Sequence, residues 1–359
     1  MFPDVFSQMM VKEAESHLSK FKKMRDLLTD FPKVKVGQTP SDVVFRKNKM
    51  KLLRYIPQVE KLRKPPVLIV YALVNRPYIL DLQSGRSVIQ TLVSKGYDTY
   101  LIDWGVPSDF DKHISLTDYQ EKYIRRCVEL IKRNSGCDKV TLIGYCMGGT
   151  MSAMYAAQHQ QDVKNLVIMA APIDFASREG LLYLWSDKKF FDVDKFIETY
   201  GNCPPDFLQW SFLLLKPVQN FISKYTGFYD RLEDDKFLEN FFAMETWVND
   251  NIPVAGEAYR EFIKYLFQEN RLVRGEMKLN NAPVKLQNIN CPVLNLVAEK
   301  DFLVPPGSSV PFNDLVSSAD KEIITFPSGH IGLSVGSGAM KILWPKVCQW
   351  LDARSEITN

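Results

Sequence analysis

Histidine is scarce in this chain. Four occur in 359 residues, at positions 17, 113, 159 and 330, so a mechanism that needs an imidazole base has few places to find one. The six cysteines, at 127, 137, 146, 203, 291 and 348, include no C-x-x-C pair, which argues against a zinc site or a redox dithiol. No block of like charge stands out and the formal net charge is +3, so the chain has no electrostatic footprint for nucleic acid. The longest apolar run, Val67 to Val74, is too short to cross a bilayer. The opening Met1-Phe2-Pro3-Asp4-Val5 lacks the basic-then-apolar order of an export signal. The expectation is a cytoplasmic protein whose cysteines are reduced and mostly buried.

Apolar residues make up 46% of the chain, enough for a real core. Strand-like apolar runs alternate with helical stretches. Val67 to Ala72, Tyr97 to Trp104, Val140 to Ile143, Val163 to Ala171, Val293 to Val297 and Glu322 to Phe326 read as strands. Ser87 to Lys95, Leu116 to Asn134, Met147 to His159 and Ala339 to Ala353 read as helices. Apolar strands alternating with helices predict an α/β fold with a mostly parallel sheet and helices on both faces. Two short strands, Asp42 to Phe45 and Lys51 to Tyr55, precede it. About half of the aromatic residues crowd between Phe175 and Phe267, where the periodicity is helical. That stretch predicts an inserted, aromatic-rich helical cap over the site. The expected organisation is an N-terminal amphipathic helix over 1–35, a first core segment over 36–174, the cap over 175–285 and a second core segment over 286–359. The spacing of Phe6, Met10, Ala14, Leu18, Phe21, Met24, Leu28 and Phe31 marks the terminal helix as amphipathic. Packing on its own domain is favoured over docking on another surface.

The chemistry starts at Gly144-Tyr145-Cys146-Met147-Gly148-Gly149, between the run Val140 to Ile143 and a helical stretch. Strand, glycine turn and helix are the nucleophile elbow of an α/β-hydrolase, G-x-S-x-G, with cysteine in the serine position. A thiol nucleophile needs a base, and the base needs an orienting carboxylate. In this fold the chain order is nucleophile, acid, histidine. His17 and His113 precede the elbow, and His159 ends the elbow helix away from the turn. His330 lies in Pro327-Ser-Gly-His-Ile-Gly332 after a predicted strand, which is where ligands bind in open α/β sheets. Asp301 ends the preceding strand and is the expected acid, with Glu299 as its competitor. The oxyanion hole is expected from the backbone N–H groups of Met147, which follows the nucleophile, and Val74, in the loop after Val67 to Ala72. No metal-ligand cluster and no dinucleotide fingerprint is present.

With these residues in place, the chain resembles the catalytic subunit of polyhydroxyalkanoate synthases. The resemblance is carried by Asn75-Arg-Pro-Tyr-Ile-Leu-Asp-Leu82, Tyr100-Leu-Ile-Asp-Trp-Gly105, Leu142-Ile-Gly-Tyr-Cys-Met-Gly-Gly149, Gly201-Asn-Cys-Pro-Pro205, Asp301 and Gly329-His330, and runs from about Gly37 to the C-terminus. It implies an acyltransferase acting on 3-hydroxyacyl-coenzyme A, with 3-hydroxybutyryl-coenzyme A as the expected substrate. Cys146 would carry the growing polyester. No cofactor is implied beyond the coenzyme A of the substrate. The short chain is similar to the two-subunit kind, which implies a smaller non-catalytic partner of the PhaE or PhaR type, a homodimer, and residence at the surface of polyester granules. The activation of the attacking 3-hydroxyl falls to His330 or Asp301. Two alternatives stand beside this one: a cysteine-dependent hydrolase of the same fold, a polyester depolymerase or lactone hydrolase, and a non-catalytic granule-associated relative.

Overall fold

A computed structural model describes residues 2–357. Nine strands form the main sheet: β1 (Ser41–Lys47), β2 (Met50–Tyr55), β3 (Arg63–Val70), β4 (Tyr97–Asp103), β5 (Val140–Tyr145), β6 (Val163–Met169), β7 (Val293–Ala298), β8 (Lys321–Phe326) and β9 (Glu356–Ile357). Their spatial order is β1-β2-β4-β3-β5-β6-β7-β8, with β9 pairing on β3. From β4 to β8 every neighbouring pair is parallel. The β1–β2 and β2–β4 pairs are antiparallel.

The residues explain the arrangement. Val67, Leu68, Ile69 and Val70 are at most 1% exposed, as expected of a central parallel strand covered on both faces. Helices α1 (Phe2–Thr29), α2 (Val88–Ser94), α3 (Arg125–Ser135) and α4 (Met147–Gln158) precede a second block of helices. That block is α5 (Val193–Tyr200), α6 (Pro205–Leu214), α7 (Lys224–Asp230), α8 (Asp235–Asn249) and α9 (Gly256–Glu261), and α10 (Trp344–Asp352) lies between β8 and β9. The Ser87 hydroxyl caps α2 by accepting from the Gln90 N–H at 2.8 Å. Gly136, at φ +65°, ends α3 where its sequence position predicts a stop. Leu116 to Asn134, predicted as one α-helix, opens instead with a π-helical stretch over Asp118–Ile124. The strand predicted through Ala171 stops at Met169, because Ala170 turns to φ +44°.

Between β6 and β7 the chain leaves the sheet and runs through α5 to α9. Part of this block packs around its own small core of Phe228, Leu232, Leu238, Phe241 and Phe242. Helix α1 meets that core through Met24 and Leu27. His17 and Tyr229 share a hydrogen bond of 2.6 Å, and the Lys23 ammonium donates to the Leu232 carbonyl at 2.7 Å. Elsewhere on α1, Met9, Met10 and Leu18 are more than half exposed, and so is Phe21 although its ring meets Tyr229 at 5.5 Å. Self-packing therefore describes only the second half of this helix. Among the described residues no helix is long and apolar enough to cross a membrane.

Candidate active site

One residue separates β5 from α4, and it is Cys146. Its backbone sits at φ +55°, ψ −127°, a conformation that costs a non-glycine residue about 1–3 kcal/mol. The surroundings enforce it. The Cys146 N–H donates to the Met169 carbonyl at 2.9 Å, and the Gly149 N–H donates to the Cys146 carbonyl at 2.8 Å. The flanking glycines let the backbones approach. A Cβ on Gly148 would lie 2.0 Å from the Val70 carbonyl oxygen, and one on Gly144 would lie 2.5 Å from the Gly149 Cα. The turn presents a thiol that is buried yet lines the cavity beneath the cap.

Asp301 follows β7, and its side chain is wholly buried. Oδ1 accepts from the N–H groups of Leu303 at 2.9 Å and Val304 at 2.8 Å. Oδ2 accepts from His330 Nδ1 at 2.7 Å. Glu299 is exposed, so the structure brings Asp301, not its competitor, to the histidine. Cys146 is the other polar neighbour of the His330 imidazole in the cavity. Burial would lower the His330 pKa, but the charges of Asp301 and Cys146 and the hydrogen bond to Asp301 outweigh it and push it up to about 10. The imidazole is thus arranged to stay protonated at neutral pH, beside the Cys146 sulfur. The other histidines stand elsewhere: His159 pairs with Glu121 at 2.8 Å, His17 is on α1, and His113 is exposed.

Sequence reasoning gave Tyr145 no role. Its ring stacks on His330, with centroids 5.1 Å apart and planes 21° apart. Its hydroxyl donates to the His330 carbonyl at 3.1 Å. The Tyr71 ring also packs on it, with centroids 5.7 Å apart. The only signal was position: a large aromatic immediately before the nucleophile.

Met147 and Val74 both line the cavity, and neither backbone N–H has a hydrogen-bond partner among the described residues. The next residue, Asn75, adopts φ +59°, which asparagine tolerates better than most residues. It is buried beside the cavity, and its carboxamide oxygen is enclosed without a hydrogen-bond partner. The rest of that loop fastens core to cap. Arg76 Nε and the Tyr78 hydroxyl donate to Asp250 at 3.2 Å each, and Trp247 Nε1 donates to the Arg76 carbonyl at 2.8 Å. Asp81 accepts from the Thr39 N–H and hydroxyl.

The cavity has a volume of about 760 Å³. Tyr183, Trp185, Phe191, Phe207, Phe212 and Phe262 contribute its cap-side wall. Such a site desolvates whatever reacts at Cys146 and strengthens the electrostatics there.

Comparisons with known proteins fit this geometry. Residues 65–337 match the family model described as the alpha/beta hydrolase fold, and residues 10–92 match that of the poly-beta-hydroxybutyrate polymerase (PhaC) N-terminus. The second match begins well before Gly37, so the likeness reaches into α1. The chain is 47% identical over 323 residues to the poly(3-hydroxyalkanoate) polymerase subunit PhaC of Haloferax mediterranei, covering 90% of this chain and 66% of that one. It is 40% identical over 357 residues to the subunit of the same name from Allochromatium vinosum, covering 99% and 100%. A soluble variant of yeast monoglyceride lipase superposes with a TM-score of 0.58 at 13% identity, covering 90% and 97%. A putative lipase from Sulfolobus solfataricus gives 0.54 at 17%, covering 90% and 100%. These two show a shared fold and nothing further.

Proposed function

The chain belongs to the poly(3-hydroxyalkanoate) polymerase family, and from that membership we propose that Cys146 is the residue on which its polyester grows, with 3-hydroxybutyryl-coenzyme A as substrate. The observation that carries this is the Asp301–His330 hydrogen bond beside Cys146, with all three residues lining one cap-covered apolar cavity. The Cys146 thiolate attacks the thioester carbonyl. The oxyanion is stabilised by the N–H groups of Met147 and Val74, and coenzyme A departs with a proton from His330. The acyl group has passed from one thioester to another of similar energy, so it stays activated. The 3-hydroxyl of the next unit then attacks it, loses its proton to His330 and forms an ester. Asp301 is poorly placed to take that proton. Both its oxygens are occupied, one by two backbone N–H groups and one by His330, so its role is to orient and charge the imidazole.

The chemistry calls for no resident cofactor, since coenzyme A arrives on the substrate. The relatives are named as polymerase subunits. We extend this to the present chain as a homodimer working with a smaller PhaE- or PhaR-type subunit at a granule surface. The uncovered apolar side chains of α1 and of the cap, among them Met10, Phe21, Trp210 and Ile222, support such contacts.

Incubation with 3-hydroxybutyryl-coenzyme A should place a hydroxybutyryl mass on the Cys146 peptide and yield insoluble polymer, with both lost in Cys146→Ala. Free hydroxy acid as the product would make the protein a hydrolase. Coenzyme A release by Cys146→Ala near the wild-type rate would remove Cys146 from the mechanism.

A further inference from the structure

The catalytic cavity carries little charge, and the charge it has is unbalanced. Among the described residues lining it, the charged ones are Lys216, Lys300, Asp301 and His330. Asp301 and His330 are paired with each other. Neither lysine ammonium has a carboxylate partner among the described residues. Lys216 comes from the cap, just beyond α6, and its ammonium rests over the Phe302 ring, 3.0 Å from the centroid. Lys300 comes from the core, one residue before the acid. It is exposed, and Phe302 is 47% exposed, so this edge of the cavity opens to solvent. Two unpaired cations therefore stand at the mouth, one on each side of the cap–core seam.

An aromatic face is a modest partner for an ammonium, and one readily exchanged for an anion. An apolar cavity that handled only an uncharged ester would gain nothing from two such groups at its rim. A coenzyme A thioester differs: its acyl group sits at one end of a long neutral arm, and its phosphates sit at the other. The apolar walls accept the acyl end and refuse the phosphates.

We propose that Lys216 and Lys300 form an anion-binding rim that holds the phosphate end of coenzyme A while the arm passes between cap and core to Cys146. The proposal rests on a coenzyme A thioester being the substrate, and it adds the residues that recognise the carrier. On binding, the Lys216 ammonium exchanges the Phe302 ring for a phosphate. On release it returns to the ring. Both lysines keep part of their hydration, which suits a carrier that must leave after every acyl transfer.

Calorimetric titration with free coenzyme A and with pantetheine, which lacks the phosphates, separates this from a packing role. Wild type binds coenzyme A more tightly than pantetheine, and added salt shrinks the difference. The double variant Lys216→Met/Lys300→Met weakens coenzyme A binding about tenfold, as expected for the loss of two partly exposed charge contacts, and leaves pantetheine affinity in place. Lys216→Arg with Lys300 intact keeps the coenzyme A affinity. Unchanged coenzyme A binding in the double variant would overturn the proposal, and so would equal weakening of both ligands. Neither titration requires turnover. A wild-type protein that binds coenzyme A in this phosphate-dependent way, yet releases none from the thioester, would overturn the polymerase chemistry and still support the rim.

Discussion

Replacing Asp301 with asparagine tests the catalytic line with little change of shape. The outcome follows from what already holds the carboxylate. Oδ1 accepts two backbone N–H groups, from Leu303 and Val304, at 2.9 and 2.8 Å. In Asp301→Asn those donors demand the carboxamide oxygen, so the NH₂ group must take the Oδ2 position and point at His330 Nδ1. Nδ1 then has to accept, which moves the neutral ring's proton to the nitrogen facing Cys146. That tautomer cannot take the thiol proton. Loss of the Asp301 charge also removes a main support of the raised His330 pKa, so the imidazolium is lost more readily as well. In triads of this type the wrong tautomer costs about 10³–10⁴ in rate, or about 4–5.5 kcal/mol of barrier. Coenzyme A release, followed with a thiol reagent, should fall by that factor, and turbidity from polymer should fall in step. Alkylation of Cys146 by iodoacetamide at neutral pH should slow, since the wrongly protonated ring can no longer draw off the thiol proton. A loss smaller than tenfold, or one confined to elongation with acylation intact, would refute this account and return the hydroxyl-activating role to Asp301.

Tyr145 should divide into two parts. Tyr145→Phe removes one hydrogen bond to the His330 carbonyl, worth about 1 kcal/mol, and should cost about fivefold in kcat. Tyr145→Leu also removes the stacked ring and should cost more and narrow the pH–rate profile; identical profiles for the two variants would show that the ring does nothing for the imidazole. His330 should make stability depend on pH. Its pKa is about 10 in the folded protein, against an ordinary 6.5, so its contribution is fully present below about pH 6.5 and is lost as pH rises through about 10. The gap in urea midpoint between wild type and His330→Gln should close over that range; a constant gap would contradict the assignment. Gly148→Ala should be severe, because its Cβ would meet the Val70 carbonyl oxygen at 2.0 Å. A loss of at least about 3 kcal/mol is expected, and a stable, active variant would mean that the elbow does not pack on β3 as described.

Much of this architecture was legible because its signals are local. Val67 to Val70 announce a strand buried on both faces, Gly136 announces a helix stop, and the two elbow glycines announce a turn only they can make. The order of Cys146, Asp301 and His330 was legible because four histidines leave little choice. What escaped depends on parts of the chain far apart in sequence. No periodicity reveals that Tyr145 lies flat on His330, 185 residues away, or that Lys216 rests on Phe302. The Asn75 to Asp81 segment shows the boundary most clearly. As a string it identified a family, but its parts act separately. Asn75 lines the cavity with its carboxamide oxygen buried and unpaired, Arg76 and Tyr78 hold the cap through Asp250, and Asp81 fastens the loop to Thr39. The terminal helix escaped in another way. Periodicity shows that a face is apolar but not what covers it, and among the described residues part of that face is covered and part is not.

The likeness to lipase folds raises the question of why such a frame would build esters in place of cleaving them. An elbow, a histidine, a buried acid and a cap suffice for hydrolysis, and a thioester on Cys146 is at least as easily hydrolysed as an ester on serine. Exclusion of water by the aromatic wall helps, but a cavity of about 760 Å³ cannot admit a substrate arm and reliably refuse every water molecule. Positioning supplies the larger factor. Bulk water presents its oxygen at about 55 M, whereas a hydroxyl held in line with an acyl group can act at an effective 10⁵ M or more. On the proposed chemistry, the same His330 that loads Cys146 holds the incoming 3-hydroxyl, with the phosphate end of its carrier held at the rim. The thiol keeps the acyl group activated, and the bound hydroxyl outcompetes water for it. Cysteine at the elbow then makes physical sense only together with a cavity shaped to position a second substrate. That is why the apolar wall, the unpaired Asn75 carboxamide and the two rim lysines belong to the same site as the triad.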